Sequence, residues 1–453
     1  MIRPSYSYKV GGFKQGEVFH QIPGQYDSGI SANPVVSRSS STTRVNKEGL
    51  IEHIDSNIPR QTWPVYKGRV GRCPSLALRE RIPQKLYWTE RFNTSGTWTE
   101  QGVNVLCTET VAPTGRKEAC LLRVTSTNNA CFVEQETVGV SHSLGTFVLI
   151  IFVKDGGDIM QGGSRGSGYF AMQVIDSANS ASLIQTFDLV NATVGGSTGN
   201  LTPEEPFIHE YPNGWFRVGF RYDIGTTISP AVRFYASCNG TDTSVPDYLL
   251  SGDYAGQSLQ LYGANLVQSR QLQPYIKSES TLQIQEADTF RTFVGNDYIY
   301  SKEGIFFISL KLESDQVTFN SNCITLNNGT VNNKISFNFR QATNNFIFIV
   351  KKGTSTGSTT QSFFETSLDF TKEIKLAVHW KQGLCLLYYN GNQIHQDTNF
   401  NTFDGDTLTR IDADNGNQVN KFKCGDIYEL SVYDTRTLSS TKVVELLKQL
   451  TEL

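Results

Sequence analysis

From about residue 86 onward the chain alternates between short apolar or in-out runs and clusters of Gly, Asn and Pro. Runs at 103–107, 119–124, 147–153, 170–175, 216–220, 231–235 and 259–261 are separated by turn signals such as Pro113-Thr114-Gly115, Gly195-Gly196 and Pro212-Asn213-Gly214. Short strands punctuated in this way predict a two-sheet β-sandwich. A second set at 305–312, 335–339, 346–350, 374–380, 384–389 and 426–432 predicts another, with a type I′ hairpin at Asn390-Gly391. At the end, Val443, Val444, Leu446, Leu447 and Leu450 form an apolar stripe at helical spacing behind Ser439 or Ser440, which predicts a short capped helix.

Residues 1–42 show no such period. They hold Gly11-Gly12, Pro23-Gly24 and a Ser-rich run, with aromatics spaced singly at Tyr6, Tyr8, Phe13, Phe19 and Tyr26. Such a segment buries too little apolar surface to fold alone, and reads as a disordered tail or as an arm that orders on assembly. Prolines at 59, 64, 74 and 83 exclude long helices between 44 and 84, leaving an irregular connector that Trp63 and Tyr66 are placed to pin to a surface. The expected organisation is therefore all-β: an arm and connector at 1–85, a first β-sandwich at 86–282, and a second β-sandwich with a short C-terminal helix at 283–453.

Composition agrees with this class. Gly (39), Phe (27) and Tyr (19) are abundant while Met (3) is scarce, which favours strands over helices. A formal charge of -3 without any basic run gives no grip on a polyanion, so no nucleic acid is expected. The apolar run at 147–153 is far too short for a membrane helix, and residues 1–30 lack the pattern of a signal peptide, so neither membrane insertion nor secretion is expected. The eight cysteines show no Cys-x-x-Cys spacing. Several sit inside apolar runs, which predicts free, buried thiols in a reducing cytoplasm.

No cofactor site and no catalytic constellation emerges. The carboxylate pattern of a glycoside hydrolase is missing, with Glu286-Ala287-Asp288 the nearest approach, and there is no Gly-x-Ser-x-Gly elbow. His379 lies between Val378 and Trp380 and is expected to face away from the core. Asp412 and Asp414 are weak calcium candidates in an oxygen-rich loop, for which a plain turn is the simpler reading. Exposed aromatics beside amides suit sugar faces, which makes Tyr211, Tyr222, Tyr254, Tyr262, Tyr388, Tyr389 and Asn390 the candidates for glycan binding, against core packing as the plain alternative. Trp215 is expected in the core.

The stretch TRVNKEGLIE at 43–52, followed by Asn57-Ile58-Pro59-Arg60 and by Cys73-Pro74-Ser75-Leu76-Ala77-Leu78, resembles the attachment region of tailed-bacteriophage head or tail fibre proteins. The resemblance continues through Asn213-Gly214-Trp215-Phe216-Arg217, Gly256-Gln257-Ser258 and Gly263-Ala264-Asn265-Leu266. It implies a virion protein assembled in the host cytoplasm and anchored to capsid or tail through Arg44, Val45, Asn46, Leu50, Ile51, Ile54, Pro59 and Arg60. It also implies that the first sandwich is a carbohydrate-binding-module-like jelly roll and the second a concanavalin A-like, laminin G-like one, both displayed toward other subunits or host-surface glycans, without catalysis. A glycan-degrading depolymerase and a ligand-free decoration protein are the alternatives. A homotrimer is the first expectation for its assembly and a homodimer the second. On this reading, replacing Leu50, Ile51 and Ile54 with Asp should leave both sandwiches folded and abolish incorporation into particles.

Overall fold

The computed structural model of the chain describes residues 6–9, 35–71, 74–79, 81–125, 130–137, 145–156, 165–166, 168–176, 181–224, 229–235, 256–269, 272–293, 299–312, 322–340, 344–354, 357–370, 372–414 and 425–452. Among these the chain is nearly all strand, and the single α-helix is Ser440–Thr451. The first sandwich stacks a sheet ordered Val103–Val111, Lys117–Val124, Gln257–Gln268, Gly145–Asp155, Phe216–Ile224, Pro203–Glu210 on another ordered Thr99–Gln101, Phe132–Glu136, Ala231–Tyr235, Tyr169–Asp176, Ala181–Asp188, Thr193–Gly199. Phe147, Leu149, Ile151 and Val153 point into the space between them and meet Phe170, Val174 and Phe234, all fully buried. Each such side chain contributes about 1.5–3 kcal/mol by leaving water.

Alternation fails at 147–153 for a structural reason. The opposite face of that strand is covered as well, Val148 and Ile150 by Ile82 and Ile276, and Phe152 by Ile51, Trp215, Tyr262 and Tyr275. A strand buried on both faces reads as a continuous apolar run. The same holds for Gly304–Leu312 in the second sandwich, where Phe306 and Ile308 enter the main core while Ile305 and Phe307 pack under Val443, Leu446 and Leu447 of the C-terminal helix. Ser439 caps that helix by accepting from the Lys442 backbone N–H at 3.4 Å. His379 pairs in register with Ile305 and Leu386, on this helix-covered side. It does face away from the main core, but the helix leaves it only 1 % exposed, so the expected solvent-facing histidine is a buried one.

The segment expected to be a connector is built into both sandwiches. Ser75–Leu78 and Gln61–Thr62 extend one sheet of the second sandwich beyond Gly425–Tyr433, to which Tyr6–Lys9 also pairs, and Val35–Ser37 starts its other sheet. The hairpin Thr42–Val45 with Ile51–Ile54 lies instead against the first sandwich. There the Ile51 N–H donates to Pro113 O at 3.0 Å and the Thr43 hydroxyl to Tyr275 O at 2.6 Å. At the joint, Asp288 accepts from Arg38 at 2.8 Å and from the Arg79 backbone N–H at 2.9 Å, and Arg60 stands 3.4 Å away. All three of the carboxylate and the Arg38 and Arg60 side chains are sealed from solvent.

The residues expected to anchor the chain to a virion have partners within the chain. Ile51, Ile54 and Arg60 are buried within the chain itself. Arg44 pairs with Glu52 at 2.9 Å, Asn46 Oδ1 accepts from the Glu48 and Leu50 N–H groups at 3.0 Å, and Val45 packs beside Ile51. Leu50 and Pro59 are half-buried. Tyr66, expected to pin the connector, is 74 % exposed.

Two further expectations change. Cys107 and Cys120 face each other across neighbouring strands as a disulfide, because the register of the pair sets them opposite, which spacing alone did not indicate. Cys323 and Cys385 are free and buried as expected and Cys131 is buried, while Cys73, Cys238 and Cys424 lie outside the described residues. Gly195-Gly196, read as a turn, falls inside the edge strand Thr193–Gly199, where both carbonyls accept from Gln185 Nε2. The Asn390-Gly391 turn forms as predicted, with φ of 43° and 84°.

Candidate functional site

The predicted sugar platforms are mostly interior. Tyr222 and Tyr262 are fully buried and Tyr388 is 2 % exposed, so their ring faces contact protein and cannot stack on a ligand. Tyr211 is half-buried with its ring edge on Phe152, and Tyr389 is half-buried against the second core. Asn390 Oδ1 accepts from the Lys375 N–H, closing its turn. Tyr254 lies outside the described residues. Strand aromatics look the same in sequence whichever face they take, and here packing took them. The calcium candidates are likewise engaged: Asp412 with Arg410 at 3.2 Å and Asn327 at 3.1 Å, and Asp414 with Arg291 at 3.3 Å. Among the described residues no group of acidic, His or Cys side chains could hold a metal ion.

A different place has the makings of a site. A cavity of about 90 Å3 opens on the first sandwich between Trp88, Glu90, Arg91, Thr108, Glu118, Lys277, Ser278 and Glu279. That is room for several waters, or for the leading edge of one sugar ring. Its walls come from four parts of the chain. Trp88 to Arg91 form a tight turn, Thr108 sits on a bulge that interrupts the ladder between Cys107–Cys120 and Thr110–Ala119, Glu118 lies on the next strand, and 277–279 return after the last strand.

The backbone at this cavity is held in an unusual state. Trp88 has φ 48° and Thr108 has φ 67°. Among the described residues they are the one aromatic and the one β-branched residue in the left-handed region, which both types avoid. Trp88 is kept there from both sides: its N–H donates to Glu279 O at 3.1 Å, and its carbonyl accepts from the Arg91 N–H at 3.0 Å and the Trp98 indole at 3.2 Å. Strain of this sort persists only where the surroundings over-determine it, and it gathers at sites that use it. The result is a half-buried indole at the rim, with the Arg91 guanidinium 6.0 Å from its ring centre.

Below the rim, Glu90 is fixed in place. Its Oε1 accepts from Tyr262 at 2.7 Å and Tyr275 at 2.9 Å, His53 Nε2 stands 3.6 Å away, and Lys277 Nζ lies 2.9 Å from Oε2. Burial alone would raise this carboxyl. His53, Lys277 and Tyr262 outweigh burial and lower it to about 2, so Glu90 stays a carboxylate throughout the neutral range. Gly263, at φ 65°, lets the strand pass beneath Tyr275, whose ring carbons would lie 3.2 Å from an added Cβ. Tyr262, one of the predicted platforms, thus serves from below together with Tyr275, both orienting Glu90 through their hydroxyls.

No family model matches the chain, and no curated protein matches it in sequence. Solved structures do resemble it in fold. The CBM40 of the Ruminococcus gnavus IT-sialidase, bound to α2,3 sialyllactose, aligns at 14% identity over 34% of this chain and 84% of its own, with a TM-score of 0.27. Domains LG4-5 of the mouse laminin α1 chain align at 12% identity over 68% of this chain and 86% of theirs, with a TM-score of 0.22. The N-terminal tandem CBM22 domain from Paenibacillus barcinonensis Xyn10C aligns at 10% identity over 79% of this chain and 99% of its own, with a TM-score of 0.24. These neighbours are carbohydrate-binding modules and laminin G-like sandwiches. At such scores they carry no argument about the pocket.

The pocket residues went unassigned in the sequence because no local pattern unites them. A charged pair wedged between two aromatics, Trp88 and Phe92, at the entrance to a strand-rich block is the one signal that pointed there.

Proposed function

We propose that the chain is a non-catalytic glycan-binding component of a bacteriophage virion, with the Trp88 pocket of the first sandwich as its sugar site. The observation that carries the binding reading is the clamped, left-handed backbone at Trp88 and Thr108, at a pocket that gathers Trp88, the carboxylates of Glu90, Glu118 and Glu279 and the Lys277 ammonium. An apolar ring face with convergent polar groups is what a pyranose needs: stacking for its C–H face and acceptors for its hydroxyls. The virion assignment rests on the resemblance of 43–60 and its continuation to phage fibre proteins. Because the hairpin is engaged internally, attachment is assigned to residues outside it.

Glycan hydrolysis is the weaker reading. A glycosidase needs one carboxyl held protonated as the acid beside an ionised partner, and Glu90, the buried carboxylate of this pocket, is held ionised and so does not serve as that acid. Calorimetric titration with a panel of host-surface oligosaccharides is the test, with Trp88→Ala beside the parent chain. Millimolar or tighter binding that Trp88→Ala weakens about tenfold supports the reading. Binding unchanged by Trp88→Ala, or none across the panel, refutes it. Release of reducing ends during the titration would replace it with the depolymerase. Detection of the chain in purified particles by mass spectrometry tests the virion assignment separately.

A further inference from the structure

The two ends of the second sandwich are finished differently. At one end its sheets are extended by the chain's own N-terminal segments, Ser75–Leu78 with Gln61–Thr62 on one sheet and Val35–Ser37 on the other. At the other end the strands Gly357–Ser367 and Asn392–Asp397 are the last of their sheets, and no strand among the described residues pairs beyond either. The Ser362 hydroxyl and His395 Nε2, 2.9 Å apart, hold these two edges level with one another.

Gly357–Ser367 is an unusual edge. It spans 11 residues, reads GSTTQSFFETS, and carries one charge, Glu365, with no Lys and no Pro to discourage pairing. Compare Pro203–Glu210, an edge of the first sandwich, whose PEEPFIHE holds two prolines and three glutamates. On the outer face of the bare edge Phe363 is 54 % exposed, and it stands opposite the half-buried Ile349 of the adjacent strand. A short apolar stripe therefore runs up to the edge and stops there.

We propose that this edge is an interface with a second copy of the chain, the two Gly357–Ser367 strands pairing antiparallel about a two-fold axis at Phe363. The argument for a second copy is self-complementarity. Centring the pair on Phe363 sets Phe363 against its twin and completes a stripe of Ile349, Phe363, Phe363 and Ile349 across the joined sheet, the kind of cross-strand contact that stabilises sheets. The same register brings Gln361, which a bulge sets between the paired residues Ser362 and Thr360 and whose Nε2 donates to Thr359 Oγ1, near Glu365, whose Oε1 accepts from Asn345, and it opposes no like charges. Shifting the pair to centre on Glu365 would instead set the two carboxylates against each other. An interface of one strand and one aromatic is small, which places the dimer in the weak class that forms with rising concentration and at high local density. It is isologous, so it closes at two copies.

Sedimentation velocity over a concentration series up to the millimolar range tests this with the full chain. The parent should move from monomer to dimer, and Phe363→Asp, a change at an exposed side chain, should raise the dissociation constant at least tenfold with an unchanged melting temperature. Two further variants read the register. Gln361→Lys should tighten the dimer severalfold at low salt by lying near Glu365, and Gln361→Glu should weaken it comparably. A parent that stays monomeric throughout, a dimer indifferent to Phe363→Asp, or Gln361 variants that move together would each overturn the proposal.

Discussion

The hairpin at 42–54 and the pocket beside Trp88 are neighbours that share one carboxylate: His53 of the hairpin approaches Glu90 from one side, and Lys277 of the pocket pairs with it from the other. In sequence they differ sharply. The hairpin region carries the strongest motif in the chain, and nearly every motif residue has a folding task. Thr43 ties to Tyr275, Arg44 to Glu52, Asn46 closes the turn, Gly49 takes φ 78°, Asn57 takes φ 61° and accepts from the Arg38 N–H, and Arg60 meets Asp288. The pocket is assembled from four separated pieces with no motif in common. A dense local pattern here reports a demanding piece of backbone, whereas a binding surface can be gathered from scattered residues that strands bring to one place.

The largest break in that comparison should come from Asp288→Ala. It leaves Arg38 and Arg60 buried without their carboxylate, and removing one partner of a buried charge network costs about 3–5 kcal/mol. Denaturant titration should show that loss. Sugar binding at the pocket should persist wherever the variant is folded, since no pocket residue touches Asp288. Loss of both together would mean that the joint and the pocket form one unit.

Acid should separate the two sandwiches by a slightly smaller amount. His379 is buried under the C-terminal helix with neither ring nitrogen hydrogen-bonded among the described residues, and burial, aided by Lys381, lowers it to about 4. An unfolded histidine takes its proton near 6.5. The folded state therefore binds fewer protons than the unfolded chain between these values, and stability is full above about pH 6.5 and declines as pH falls to 4, by about 3 kcal/mol. Glu90 also has a lowered pKa, so its contribution to the first sandwich survives to about pH 4.5 and fades only below it. Stability measured from pH 7 to 4 should slope downward in the parent and less in His379→Leu. Identical slopes would remove His379 from the account.

The anchor itself is tested by Ile51→Ala. A buried Ile→Ala change costs 2–5 kcal/mol, and the low end, about 2 kcal/mol, is expected because Ile51 belongs to a small cluster beneath a two-stranded hairpin that can settle. A melting temperature unchanged by Ile51→Ala would restore the earlier expectation that this stretch faces a partner.

Much of the architecture could be read from residue order. Alternation at 335–339 and 426–432, the Asn390-Gly391 turn and the Val443–Leu447 stripe each encode local geometry, and each formed as expected. What sequence could not supply was the identity of the covering layer. Periodicity says that Tyr262 and Phe152 lie on one face and Leu261 and Val153 on the other, but not that the outer face would be roofed by residues 42–54 and 272–279. That roof made Tyr262, a candidate platform, part of the core, and it packs Ile51 and Val45 of the 43–60 stretch on the first sandwich. The disulfide was hidden for a related reason, since two cysteines separated by 13 residues face each other only once the bulge in Val103–Val111 has set the register.

The smallest effect on folding, and the sharpest on function, should belong to Trp88→Ala. The indole is half-buried and only partly packed on the first core, so its removal forfeits part of the 3–5 kcal/mol expected of a fully buried aromatic, about 1 kcal/mol. The left-handed φ adds strain for any residue with a Cβ, and Trp88→Gly should recover most of that loss by relieving it. Both variants lose the ring face, so both should lose sugar binding to the same extent. Stability that tracks the backbone while affinity tracks the ring is the outcome expected of a residue whose strain is maintained to present its side chain. If glycine retains affinity, the pocket's polar floor of Glu90 and Lys277 holds the ligand and the indole is a bystander.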